Sequence, residues 1–338
     1  MLLEEIGIAG VGSYLPEKVI DVWEAVKNTG IPRGKFDRIG CRRLHQAAPG
    51  QTPTDMAIIS ASRALEQAAL PAQELDAIIY TGSFKDHHRW LASARVQHEL
   101  GARRAMVFDI YQGCNGQNMA MHIARSMMRS EARLRHVLIC SGERFDSTLT
   151  PPIMGQTYIF GDGSSAGVLK RGHPRLVIVA TAYRTWGVHH GNFCVPAIGA
   201  WRRLDSQAIA QGLHQLQIWR PVCRTREQLE EFGEKLLQIA DELIYRACRK
   251  AGIERGQIAF VATVNGSRRH NQVFLERMRL THCRSNIDYI EETAHMGSSD
   301  TFYNLDRALR ENQIQPGDYV LFYTGGAGYT WAITLVRA

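Results

Sequence analysis

A histidine and an aspartate stand five positions apart in AHMGSSDTFYNL, residues 294–305, on either side of a Gly-Ser-Ser turn. An imidazole held by a carboxylate has a fixed tautomer and raised basicity, so His295 and Asp300 can together take a proton from an attacking group. The same two residues can also be bracing, with Asp300 capping the helix that follows and His295 filling a pocket. Spacing alone favours the bracing role. A nucleophile elsewhere in the chain is needed to give the pair chemistry.

Cys114 is the candidate. It lies in QGCNGQNMAMHIARSMM, directly after the apolar run MVFDI, with Gly113 and Gly116 close on either side. Glycines where a strand turns into a helix let the backbone bend sharply and let a substrate approach closely. The helix behind the cysteine directs free N–H groups and a positive dipole end at the sulfur, and both favour thiolate. Cys140, inside VLICSG, reads instead as core packing. A thiolate in such a setting takes an acyl group from a thioester, after which it needs a base for the acceptor and an oxyanion hole. The glycines of TGGAG (Gly325, Gly326 and Gly328) offer exposed backbone N–H groups for the hole.

The elements that must position these residues alternate short apolar runs with amphipathic stretches. IGIAGVGSYLP, AIIYTGSF, AMVFDIYQ and VLICSGER read as strands, with a helix through GQNMAMHIARSMMRS. VIVATAYR, IAFVATVNG, YVLFYTGGAG and YTWAITLVRA read as strands of a second half, with helices over about 225–251, through FLERMRL and near 303–310. This grammar predicts α/β organisation with parallel strands. Both halves close on a glycine cluster followed by a small-residue strand, GDGSSAGVL and GGAGYTWAITL, which hints at an internal duplication. The stretch 187–226, rich in aromatic and basic residues and weakly periodic, reads as an insertion near a binding site.

Bulk properties narrow the classes. The chain has 338 residues, 45% hydrophobic and 22% charged, which is ordinary globular composition able to bury a large core. No apolar run reaches membrane-spanning length, and MLLEEIGIAG lacks the features of a signal peptide. Seven cysteines at scattered spacings, with no CxxC, predict a reduced, cytoplasmic setting and no zinc site. His189 and His190 with Cys194 lack further ligands at usable spacing, so no metal is expected. The net charge of +7 is spread along the chain without a nucleic-acid motif, leaving a solvated basic face or a docking patch for an acidic protein.

Taken in order, five stretches resemble one family, the type III ketoacyl-acyl-carrier-protein synthases of the thiolase superfamily. They are GIAGVGSYLPEKV, LASARVQHELGA, FDIYQGCNGQNMAMHIA, FGDGSSAGVL and PGDYVLFYTGGAGYTWAITLVRA, and the match runs essentially end to end. The resemblance implies an α/β thiolase-like fold of two duplicated halves in a layered α/β/α/β/α arrangement, and a homodimer. The halves would be residues 1–172, carrying the nucleophile, and 173–338, carrying the His/Asp pair and the glycine turn. It also implies no tightly bound cofactor, the donor being an acyl thioester of phosphopantetheine on an acyl carrier protein or coenzyme A.

Departures from the family pattern carry the functional expectation. Where the family has a His-Gln-Ala-Asn motif, this chain reads NGSR, so Asn265 replaces the histidine. Where it has Gly-Asn, this chain has Gly297 followed by Ser298. In the relatives that His–Asn pair holds the thioester carbonyl of a malonyl group during decarboxylation, and its loss removes positioned donors for the enolate. His295 and Asp300 flank the altered motif. The chain looks like a subgroup in which a Cys–His–Asp set passes an acyl group to a hydroxyl, amine or thiol, in specialised or antibiotic biosynthesis. Cys114 would carry the acyl group, the N–H groups of Cys114 and Ala327 would hold the oxyanion, and His295 would deprotonate the acceptor. Arg268 and Arg269 would form a basic rim for an acidic carrier protein. The alternatives are a decarboxylative condensing enzyme and a non-catalytic partner subunit. Acyl group and acceptor are not named by the sequence.

Overall fold

The computed structural model describes residues 4–30, 32–145, 149–150, 153–154 and 158–338. Ten strands form one sheet-bonded set: β1 (Ile6–Tyr14), β2 (Ala77–Tyr80), β3 (Met106–Asp109), β4 (His136–Glu143), β5 (Gly163–Arg171), β6 (Val177–Thr185), β7 (Ile258–Ala262), β8 (Arg284–Ser285), β9 (Tyr319–Gly326) and β10 (Thr330–Arg337). Six helices serve them: α1 (Pro53–Gln67), α2 (Ala92–Leu100), α3 (Gly116–Ser130), α4 (Arg226–Ala251), α5 (Arg268–Arg277) and α6 (Asp300–Arg310).

Each half of the chain runs β-α-β-α-β-α-β-β. The first half is ordered β3-β2-β4-β5-β1 across its sheet, the second β8-β7-β9-β10-β6, so the two follow the same path. They meet at a single pairing of β1 with β6, Gly7 opposite Val177. Helices α1 and α2 cover one outer face, where Ala57, Ala61, Ala64 and Val96 pack on Ile78, Leu138 and Val168. Helix α4 covers the other with Ile239, Leu243 and Ile244 against Val261, Leu321 and Ile333. Between the sheets lie α3 and α6, whose Met121, Ala124, Phe302 and Leu305 fill a core shared by strands of both halves. That is a five-layer α/β/α/β/α sandwich.

Local signals set the element ends. Thr52 and Asp55 form a reciprocal capping box ahead of Pro53 at the start of α1, and α4 stops at Gly252 in the left-handed region at φ +68°. Every residue of β4 (HVLICSGE) is buried, as expected of a strand covered on both faces.

The strands are not all parallel, a correction to the expectation from the sequence. β2 pairs in parallel with β3 and β4, and β7 with β8 and β9. β5 and β10, by contrast, run antiparallel to their neighbours. The cause is connection: β9 returns into β10 through a tight turn at residues 326–330, too short for the crossover that parallel strands need, and among the described residues no helix lies between β4 and β5.

Candidate active site

Cys114 sits in a single 3₁₀ turn, Gly113–Asn115, at the end of β3 and the start of α3. Two side chains of the first turn of α3 lock that helix to its surroundings. Gln117 Nε2 donates to Ser165 on β5, while its Oε1 accepts from Phe302 N on α6. Asn118 Nδ2 donates to Thr324 Oγ1 on β9 and Ala332 O on β10, and its Oδ1 accepts from Thr334. Buried amides with every such partner in place hold one geometry, so the sulfur is carried on a rigid mount.

The glycine turn after β9 closes directly on that mount. A Cβ on Gly326 would stand 2.2 Å from Gln112 O and 3.0 Å from Asn115 N, so only glycine allows this approach. Gly113, at φ +53°, faces the same turn, and a Cβ there would be 2.9 Å from Ala327 N. The two backbone amides expected to hold an oxyanion, Cys114 and Ala327, therefore belong to two turns in contact.

His295 enters from the second half. Its backbone is pinned beside Phe160 by His295 N donating to Ile159 O at 2.8 Å and Gly161 N donating to His295 O at 3.1 Å. Nε2 lies 2.9 Å from Cys114 Sγ, and Nδ1 lies 2.5 Å from Asp300 Oδ2. Asp300 begins α6 and is fully buried; its carboxylate also accepts from Met296 N at 2.9 Å and Asn265 N at 2.6 Å. Sulfur, imidazole and carboxylate thus form one hydrogen-bonded line. Burial, the largest single influence on His295, disfavours its charged form, but the negative charges of Cys114 and Asp300 and their hydrogen bonds outweigh it and hold the imidazole well above its ordinary pKa.

The two positions of the altered motif differ in what they face. Asn265 is fully buried, its Oδ1 accepting from Asn286 Nδ2 at 2.7 Å while its own Nδ2 has no partner among the described residues. Ser298 faces the scaffold: its Oγ accepts from Gln117 N at 2.9 Å and bonds Thr81 Oγ1 at 2.8 Å. Arg268 and Arg269 open α5. Arg268 pairs with Asp288 at 2.8 Å, and Arg269 is exposed. Cys140 is fully buried, with burial pushing its thiol upward. Among the described residues, no group of three or more His, Cys, Asp or Glu is placed to hold a metal ion, and no helix is long and apolar enough to cross a membrane.

Two neighbours of the site were not singled out from the sequence. Tyr158 lies with its ring 5.3 Å from the His295 ring, over Gly266, where a Cβ would stand 2.6 Å from it. Burial, then the charges of Cys114 and Tyr329, push its phenol up, so it stays a proton donor. Glu143 ends β4 as a fully buried carboxylate whose Oε1 accepts from Ser298 N. A lone acid at the end of an otherwise uncharged buried strand was the available signal for Glu143; nothing marked Tyr158.

Two profiles of one family match the chain: 3-oxoacyl-[acyl-carrier-protein] synthase III over residues 108–187, and its C-terminal part over 248–338. The β-ketoacyl-[acyl-carrier-protein] synthase III of Caldanaerobacter subterraneus subsp. tengcongensis is 26% identical over 98% of this chain and 97% of its own length. Among solved structures, 3-oxoacyl-[acyl-carrier-protein] synthase III from Aquifex aeolicus VF5 superposes at TM-score 0.79 with 23% identity, over 98% of this chain and all (100%) of that one. ChlB3, described as an acyltransferase, superposes at 0.83 with 22% identity, over 99% and 98% of the two chains. At these identities the structural matches speak to the fold.

Proposed function

The chain belongs to the 3-oxoacyl-[acyl-carrier-protein] synthase III family, and on that premise we propose that it is a transferase that moves an acyl group through Cys114 to a hydroxyl, amine or thiol. The observation that carries this reading is the line Sγ–Nε2–Nδ1–Oδ2, with spacings of 2.9 and 2.5 Å. A base held by a carboxylate suits a reaction in which the incoming group loses a proton as it attacks.

In the first half-reaction the Cys114 thiolate attacks the carbonyl carbon of an acyl thioester. The oxyanion is held by the N–H groups of Cys114 and Ala327, the carrier thiolate leaves, and His295 supplies its proton. In the second, the acceptor enters, His295 takes its proton, and the acyl group passes on with the Cys114 sulfur as leaving group. Asp300 holds the imidazole throughout. The donor is a phosphopantetheine thioester on an acyl carrier protein or coenzyme A, and the exposed Arg269 at the start of α5 suits an acidic carrier. Among the described residues edge strand β3 pairs on one side only, with Met106 and Tyr111 exposed beside it, which supports a homodimer joined along that edge. A specialised biosynthetic pathway and a cytoplasmic setting fit this chemistry.

Decarboxylative condensation is the second reading, favoured by the name of the 26%-identical relative. Against it, the resemblance puts Asn265 and Ser298 where a His–Asn pair is expected, and here the Ser298 hydroxyl and the Asn265 oxygen are both engaged inside the fold. Mass spectrometry after mixing with an acyl thioester tests the proposal: an adduct on the wild type, absent in Cys114→Ala, followed by acyl transfer to an alcohol or amine. Carbon dioxide release and a β-keto product from a malonyl thioester would instead establish condensation.

A further inference from the structure

Glu143 is a charged group fully enclosed by protein, and the acyl-transfer cycle leaves it without a task. Its Oε1 accepts from Ser83 N at 3.0 Å, Ser83 Oγ at 3.1 Å and Ser298 N at 3.1 Å, and Oε2 accepts from Ser83 N at 3.1 Å. Gly297, at φ +53°, passes so close that a Cβ would stand 2.6 Å from Oε1. Ser298, in turn, receives Gln117 N at the second residue of the nucleophile helix and bonds Thr81 in the loop that carries Ser83. One carboxylate therefore gathers the loop after β2, the turn between His295 and Asp300 and, one step removed, the mount of Cys114.

We propose that Glu143 is a positioning residue for the Cys114–His295 pair, its carboxylate tying the turn that separates His295 from Asp300 to the loop after β2 and to the first turn of the nucleophile helix. The proposal rests on Cys114 being the nucleophile. An ionised carboxylate accepts at both oxygens, and hydrogen bonds to a charge are about twice as strong as neutral ones. Protonation weakens the clamp without dismantling the fold, so the strength with which the turn is held follows the charge on Glu143. Burial, the largest influence, raises that carboxyl to about 7, opposed by the Ser298 and Ser83 donors and by His295. The other titratable groups facing it are the fully buried Tyr80 on β2, whose hydroxyl burial and then its charge push up, and Tyr111 ahead of the nucleophile turn, whose hydroxyl its charge also pushes up. Glu143 thus takes its charge within the range where the pair must work.

The test uses iodoacetamide alkylation of Cys114, followed by mass spectrometry, between about pH 5.5 and about pH 8.5, a range that brackets the titration. The wild type should show an inflection near the Glu143 titration in addition to that of the Cys–His pair. Glu143→Gln mimics the protonated acid, keeping an oxygen for Ser298 N. It should lose that inflection and react roughly fivefold to tenfold more slowly at the alkaline end, as expected from replacing charged by neutral hydrogen bonds. Ser83→Ala removes one donor and should move the inflection to higher pH, because a lost hydrogen bond to the anion raises its pKa. It decides the matter alone if Glu143→Gln fails to fold. Rates within about twofold of wild type and an unmoved inflection in the folded variants would overturn the proposal. Alkylation needs no acyl donor, so the two readings fail separately. A wild type that never loads an acyl thioester defeats the acyl-transfer reading, while unaltered variants of a loading enzyme defeat only the role of Glu143.

Discussion

Replacing Asp300 by Asn leaves the shape of the site nearly intact and removes one charge. The carboxylate accepts three hydrogen bonds, from His295 Nδ1, Met296 N and Asn265 N, at 2.5, 2.9 and 2.6 Å. An amide can accept only on its oxygen, so its NH2 group must confront at least one of those donors in a fully buried place. Losing a charge-assisted hydrogen bond to the imidazolium removes about 1.5–3 kcal/mol. At about 1.4 kcal/mol per tenfold, that is a loss of roughly 10- to 150-fold in the rate of acyl transfer. The orphaned donor costs folding stability instead, about 1–3 kcal/mol, read as a fall of a few degrees in the unfolding midpoint. The assay is rapid quenching of the transfer half-reaction, starting from enzyme already carrying an acyl group. His295 should also lose its proton at lower pH once the neighbouring negative charge is gone, moving the acid limb of the transfer profile downward. A folded Asp300→Asn enzyme that transfers within about threefold of wild type, with its acid limb unmoved, would show that the carboxylate neither orients nor charges the imidazole.

Ser298→Ala should lower the unfolding midpoint by a few degrees, because Gln117 N and Thr81 lose their partner at about 1–3 kcal/mol, while transfer slows less than about tenfold; a large loss of kcat without loss of stability would place Ser298 against substrate instead. Glu143, protonated in the folded chain up to about pH 7 against an ordinary 4.5, makes the fold bind a proton that the unfolded chain releases. Stability should accordingly fall as pH rises from 4.5 to about 7, by about 3 kcal/mol in total, and this component should vanish in Glu143→Gln when unfolding is followed at both ends of the range. Arg269→Glu should lower kcat/KM with a carrier-protein donor by about threefold to tenfold at low salt and change little with coenzyme A donors, since an exposed rim charge acts on encounter. Equal effects on both donors would remove Arg269 from the docking surface.

What could be read from the sequence was local. Gly113 and Gly116 around Cys114 and the TGGAG cluster announce themselves within a few residues, because tight turns demand small residues, whereas the His295–Asp300 spacing alone favours bracing and takes its catalytic reading from the family resemblance. The parts that stayed hidden depend on residues far apart in the chain. Glu143 takes its meaning from Ser83 and Ser298, 60 and 155 positions away, and Gln117 from Ser165 and Phe302. Strand direction was hidden for another reason: an apolar run in a doubly covered sheet has the same pattern whichever way its neighbour runs, so only the connections reveal that β5 and β10 are antiparallel. The Asn265 and Ser298 substitutions were visible as departures, whereas what each side chain does instead required seeing Asn286 and Thr81 beside them.

The matching order of the two five-strand sets has a consequence for how the site is inherited by each half. Helix α3 follows the third strand of the first set and α6 the third strand of the second, so Cys114 and Asp300 occupy equivalent slots, each at the leading end of a middle-layer helix. One slot holds the sulfur and the other the carboxylate bonded to the imidazole beside it. Because the thiol and its imidazole come from different halves, severing the chain between β5 and β6 is expected to leave two pieces whose thiol reactivity returns on reunion along α3 and α6. Recovered reactivity after mixing such pieces would therefore count native pairings directly, one thiolate for each reconstituted middle layer.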